Sequence, residues 1–236
     1  MRRFTKITTG TLVLVFCLAA LPAVSTAQVS NIDSHGRSIT TVPPSTAGPS
    51  ANVVNPATTI PEGTTVVYSN FGSGDSFNCC AGWSESGPDS GITGFIAAMA
   101  FRPAKATYIL TQLDLALVYL VGTNGVTVEF CADDDGVPGR VIDSWYLTGL
   151  PAAGSTSNVV QTIKVKKTIL LVQNYQYWLV PIPNSDEWAG WAFNTVGASG
   201  YGAESINGGV TWDSGEYSPN GAFDILGTVL PQPPGT

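Results

Sequence analysis

Between residues 113 and 130 the apolar side chains recur at every second position. Leu113, Leu115, Leu117 and Tyr119 alternate with Gln112, Asp114 and Ala116. After Gly122-Thr-Asn-Gly125 the pattern resumes as Val126, Val128 and Phe130 against Thr127, Glu129 and Cys131. A period of two sends one face of an extended strand into a core and the other outward. An Asn-Gly step between two such runs predicts an antiparallel hairpin. An acidic loop, Asp133-Asp-Asp-Gly-Val-Pro-Gly139, then leads into a third strand that carries Trp145.

The remainder of the chain keeps this character. Short apolar runs at 65–69, 92–101, 106–121, 125–132, 140–147, 159–165, 176–181, 188–194, 210–212 and 222–230 read as strands. Glycine and proline punctuate the intervals, and no long segment has helical spacing. Residues 70–90 are rich in Gly, Ser and Asp and read as a long ordered loop. Many short strands with frequent turn signals predict an all-β chain, an antiparallel β-sandwich forming a single domain over 62–230. No internal repeat suggests a propeller or solenoid.

The ends read differently. Arg2, Arg3 and Lys6 precede an apolar run from Leu12 to Leu21 and a Ser25-Thr-Ala27 cleavage signal, which together predict a signal peptide over 1–27. The apolar run is short for a membrane span, so no membrane insertion is expected after cleavage. Residues 28–61 are rich in Pro, Ser and Thr without an apolar period and read as a disordered linker; 231–236 read as a short polar tail too small to anchor anything. The mature protein is therefore expected to be secreted and extracellular. Removing Arg2, Arg3 and Lys6 from the ten basic residues leaves seven against 17 acidic, a net charge of −10. A nucleic-acid partner needs clustered cations, and the only local cluster is Lys164, Lys166 and Lys167, which reads as a solvated strand edge. Three cysteines remain, Cys79, Cys80 and Cys131, and an oxidising compartment favours disulfides. Either Cys79 and Cys80 bridge each other and Cys131 is free, or one of them bridges to Cys131.

Several segments resemble the choice-of-anchor R domain family of secreted bacterial proteins. They are Tyr68-Ser-Asn-Phe-Gly-Ser-Gly-Asp-Ser-Phe77 with Cys79-Cys-Ala-Gly-Trp83, the Asp133–Gly139 turn, Tyr177-Trp-Leu-Val180, and Asp186-Glu-Trp-Ala-Gly-Trp191 leading to Gly221-Ala-Phe223. The resemblance implies a jelly-roll-like β-sandwich on an exported protein, and it implies no catalytic activity. Members of that family usually carry a C-terminal anchor, which residues 231–236 do not resemble.

Three chemistries follow from residue types. Asp133, Asp134 and Asp135 concentrate carboxylates as a calcium site requires, although their spacing does not match a helix–loop–helix calcium loop. The plainer reading is a solvated turn shaped by Gly136, Pro138 and Gly139. Six tryptophans, Trp83, Trp145, Trp178, Trp188, Trp191 and Trp212, are many for this length. An indole face packs against a sugar ring while nearby polar groups bind its hydroxyls. Asp186, Trp188, Trp191 and Asn194, together with Trp212 in its Asn207–Asp213 segment, form the expected ligand set for an extracellular polysaccharide or cell-surface glycan. The plainer reading makes the tryptophans core. Trp188 and Trp191 have opposite parity in a strand, so at most one of the two faces the core. A single histidine, His35 in the linker, excludes a Ser-His-Asp triad. Glycoside hydrolysis needs only two carboxylates, for which Glu129 and Asp114 on one sheet face are one candidate pair and Glu187, Glu204 and Glu216 in expected loops are further candidates. The sequence thus predicts a secreted, non-enzymatic binding or surface-associated module, with a structural or matrix protein and a glycoside-active enzyme as the alternatives.

Overall fold

The computed structural model describes residues 62–92, 94–154 and 160–230, together with the backbone of three two-residue strands upstream. The expected signal peptide, most of the 28–61 linker and the 231–236 tail lie outside the described residues. The upstream strands are β1 (Asn31–Ile32), β2 (Ser38–Ile39) and β3 (Asn52–Val53). There follow β4 (Thr65–Ser69), β5 (Phe77–Ser86), β6 (Ile96–Phe101), β7 (Tyr108–Leu115), β8 (Leu117–Val121), β9 (Gly125–Asp134) and β10 (Val137–Thr148). The series closes with β11 (Gln161–Lys164), β12 (Leu170–Leu171), β13 (Tyr177–Pro183), β14 (Trp188–Asn194), β15 (Gly200–Ser205), β16 (Asp213–Tyr217) and β17 (Phe223–Val229). Every strand pairing is antiparallel, and no helix occurs among the described residues. The fold is an antiparallel β-sandwich.

One layer is a six-stranded sheet in the order β10-β9-β13-β6-β15-β16. The other is assembled from a five-stranded sheet, β11-β7-β17-β4 with β12 on β7, and a four-stranded sheet, β3-β5-β14-β8. Alternation puts Met99, Phe101, Val128, Phe130 and Leu179 of the first layer against Leu113, Leu115, Ile163, Trp191 and Phe223 of the second, in one continuous core. Burying each such side chain contributes roughly 1.5–3 kcal/mol.

The two sheets of the composite layer are joined at three buried alanines. Ala116 interrupts the long apolar run and divides it into β7, which pairs with β17, and β8, which pairs with β14. Around this break the Ala116 N–H donates to the Ala222 carbonyl (3.1 Å), the Ala222 N–H to Ala192 (2.8 Å) and the Ala192 N–H to Ala116 (2.9 Å). The cycle satisfies backbone groups that no ladder reaches, as burial demands. All three residues are fully buried in one cluster with Phe71 and Phe77. The indole N–H of Trp191 adds a fourth bond, to the Ala222 carbonyl (3.0 Å).

Two of the expectations for the strand pattern change in the body of the sandwich. The Gly122-Thr-Asn-Gly125 segment does not close a hairpin: β8 pairs with β14, whereas β9 pairs with β10 and β13 in the opposite layer. Its polar groups bond elsewhere. Asp186 accepts from the Thr123 N–H (3.1 Å) and hydroxyl (2.8 Å), and Asn124 exchanges two bonds with the Leu150 backbone. The hairpin is the next one, β9 to β10, turned by Asp135 and Gly136 with φ of 53° and 86°, as a two-residue primed turn requires. Second, much of the expected 70–90 loop is the ten-residue strand β5, nearly all of it buried. Gly82 lies against the Trp191 backbone with no room for a Cβ, so the glycine that resembled a loop signal is a close-approach position.

The Gly221 position tests the alanine junction. A Cβ there would sit 2.7 Å from the Trp191 ring, whereas Gly215 faces open space. Gly221→Ala is expected to destabilise the domain by about 1–3 kcal/mol and Gly215→Ala by under about 0.5 kcal/mol, both read by chemical denaturation. Equal effects would contradict the tight packing described.

Candidate functional site

The ligand set read from the sequence does not converge. Trp191 is fully buried in the core. Asn194 is 5% exposed, and its amide is consumed by Ala198 and Asn220. Trp188, on the face of β14 away from the core, donates to the Ser84 hydroxyl (2.8 Å). Asp186, in the turn before β14, is exposed and holds Thr123. Trp212 alone leaves this region and packs on the outer face of the six-stranded sheet.

The indole N–H groups divide the six tryptophans. Trp83 donates to the Pro219 carbonyl, Trp178 to Asp133, Trp188 to Ser84 and Trp191 to Ala222. Trp145 and Trp212 are half-buried and have no such partner among the described residues, and each lines a concavity. A buried indole ordinarily finds an acceptor. The four bonded rings are frame, and the two unbonded rings face open grooves.

The Trp212 groove, about 270 Å³, crosses β9 and β13 on the outer face. Its floor is Glu129, Cys131, Val180 and Ile182; one side is Pro138, Gly139 and Val141, and the other is Gly208, Gly209 and Trp212. Residues 206–212, expected to end in a strand, form a loop stiffened from within. Ser205 Oγ accepts from the Gly209 N–H (2.8 Å), and Asn207 bonds the Thr211 N–H (2.9 Å) and hydroxyl (2.8 Å). Gly208 and Gly209 have φ of 71° and 86°, which suits glycine. Burial raises the Glu129 carboxyl above its ordinary range. The Cys131 thiol is pushed up to about 12, first by burial and then by the nearby Glu129 charge, so it is not a nucleophile at neutral pH. Cys131 is free, and Cys79 and Cys80 bridge each other, the first of the two pairings open at the sequence level.

The three aspartates separate. Asp133 points onto the outer face and accepts from the Trp178 indole (2.8 Å), the Gln176 amide (2.7 Å) and the Gly136 N–H (3.3 Å), while Arg102 clamps Gln176 from beyond. Asp134 and Asp135 are exposed in the turn. Among the described residues no group of three or more side chains gathers in metal-binding geometry. Asp133 is thus the anchor of Trp178. Asp133→Ala strands a buried indole N–H and an amide, and is expected to cost about 1–3 kcal/mol by the same margin in calcium and in chelator. A loss confined to calcium would restore a metal role to the turn.

The carboxylates weighed as an acid–base pair, Glu129 and Asp114, lie in opposite layers. Asp114 instead faces Asp224 directly across β7 and β17, on the side of the sheet away from the core. Thr162 (2.6 Å) and Gln112 donate to Asp114, and one oxygen of Asp224 has no partner. Burial, opposed by a Ser69 hydrogen bond and reinforced by the Asp75 and Asp114 charges, raises Asp224 to about 7. Glu85, fully buried, is raised well above its usual range by burial, and Glu187 is raised in the same direction. Sequence reasoning missed Asp224; its one signal is an acid between Phe223 and Ile225 in an alternating run, which resembles any outward strand position.

These shifts have one sign. The folded chain holds the Asp224 proton more tightly than the unfolded chain, so stability is greatest below the unfolded value near 3.8 and falls as pH rises toward about 7. One such group changes stability by up to about 1.4 kcal/mol per pH unit. Denaturation midpoints should fall between pH 4 and 7, and Asp224→Asn should flatten that fall. A midpoint that rises over the interval would contradict the burial of these acids.

Comparison with protein-family models finds no match, and comparison with curated proteins finds none either.

Proposed function

We propose that this chain is an exported, non-catalytic binding module that holds a segment of extracellular polysaccharide in the Trp212 groove. The observation that carries the reading is the Trp212 indole. Its N–H has no bonded partner among the described residues, and its ring forms a wall of the groove beside the half-buried Glu129 carboxylate. A sugar ring stacks on an indole face, and its hydroxyls donate to a carboxylate. The stiff Ser205–Thr211 loop presents the ring with little ordering left to lose. Export rests on the N-terminal segment 1–27. The reading stands apart from the choice-of-anchor resemblance.

A second reading, a structural or matrix protein without a ligand, is favoured by the complete burial of Trp178 and Trp191 and the near-complete burial of Trp83.

The test is capture of the full chain by a panel of soluble and insoluble polysaccharides, with reducing-end release measured alongside. Binding is expected to at least one neutral member, with no reducing ends released. Trp212→Ala is expected to weaken binding at least ten-fold, Trp212→Phe to restore part of it, and Trp188→Ala to leave it unchanged. Capture that Trp212→Ala does not alter would overturn the site. Capture by no polysaccharide would favour the structural reading.

A further inference from the structure

The sandwich has a second concavity, along the side where its two layers end. Strand β10 is the outermost strand of the six-stranded sheet and β11 that of the five-stranded sheet, and the slot between them has a volume of about 490 Å³. Ligand clefts commonly have about 300–1,000 Å³. The floor is apolar: Trp145 and Leu147 from β10 and Ile163 from β11, all packed on the main core. The rim is cationic. Lys164, Lys166 and Lys167 line it, and Asp143 is the one acid among the lining residues. Six lysines and arginines fall among the described residues, and half of them are on this slot in a chain of net charge −7.

Two of the ammonium groups are fixed by the protein. Lys164 donates to the buried Gln112 side chain, and Lys167 reaches across to the Ile142 carbonyl of β10 (2.8 Å), tying the two walls of the slot together. Lys166 has no hydrogen-bond partner among the described residues, and neither does the Trp145 indole N–H. Lysines on an edge strand deter strand pairing, a role that needs charge alone. Here the charges surround a tryptophan floor and a cavity.

We propose that this slot is a second binding site, distinct from the Trp212 groove, for an anionic saccharide whose ring packs on Trp145 and whose carboxylate or sulfate is held by Lys166 and Lys167. An ammonium–carboxylate hydrogen bond is roughly twice as strong as a neutral one and supplies the selection for charge. The indole floor supplies the selection for a ring over an extended acidic peptide.

The experiment measures binding of the full chain to polygalacturonate, dextran sulfate, neutral dextran and poly-glutamate at low and high salt. Wild type is expected to bind at least one of the two anionic polysaccharides, with affinity falling as salt screens the lysines. Lys166→Gln alone is expected to weaken that binding several-fold, and Lys166→Gln with Lys167→Gln at least ten-fold, with melting temperature recorded for each. Trp212→Ala is expected to leave it unchanged. The proposal is overturned if neither anionic polysaccharide binds, if Lys166→Gln binds as wild type, or if poly-glutamate binds as tightly. Neutral capture lost in Trp212→Ala, with no anionic capture, would overturn this site and leave the groove reading standing. Anionic capture sensitive to the lysines alone, with no neutral capture, would do the reverse.

Discussion

Three backbone hydrogen bonds among Ala116, Ala192 and Ala222 hold the composite layer together. The carbonyl of Ala222 also takes the Trp191 indole N–H, so the junction and the central tryptophan of the core share one acceptor. Carbonyl oxygens have two lone pairs, which allows this without an unsatisfied group. The break at Ala116 lets one continuous stretch of chain serve both halves of the layer, β7 pairing with β17 and β8 with β14. These alanines pack in one buried cluster with Phe71 and Phe77, and protein interiors are close-packed, so a larger side chain there is expected to cost stability.

The grooves follow from this construction. A layer of six strands against one of two joined halves leaves β10 and β11 as facing edges, and the slot lined by Trp145 lies between them. The other groove arises because the outer face of the six-stranded sheet is itself apolar at Ile96, Ala98, Trp178 and Val180 and is covered by the 206–212 loop only in part. Asp133 is central to that face. It anchors Trp178 and Gln176 from the β9–β10 turn, so a residue placed for a cation instead satisfies buried N–H donors.

Much of the fold was legible because period-two alternation survives wherever one strand face is polar. The residues 188–194 and 65–69 match observed strands, and the opposite parity of Trp188 and Trp191 places one ring in the core and the other on the far face. Legibility failed where both faces are buried or where glycine marks close approach, as in β5, whose Gly82 and paired cysteines look like loop signals. It failed again at Gly122–Gly125, where the turn chemistry of a hairpin is used for a crossing between layers, since partner choice depends on strands far along the chain. Of the ligand set expected from the sequence, Trp212 alone lines the groove, and its expected companions lie elsewhere. Whether a tryptophan is frame or surface depends on which acceptor its N–H meets, and that partner is 31 residues away for Trp191, 45 for Trp178 and 104 for Trp188.

That division of the six tryptophans is the central claim, and each indole N–H gives its own nuclear magnetic resonance signal. Hydrogen exchange at the indole positions of the assigned, isotope-labelled full chain measures it directly. Slow exchange is expected for Trp83, Trp178, Trp188 and Trp191 and fast exchange for Trp145 and Trp212. Slow exchange at Trp145 and Trp212, as slow as at Trp191, would contradict it and leave neither groove with an available ring.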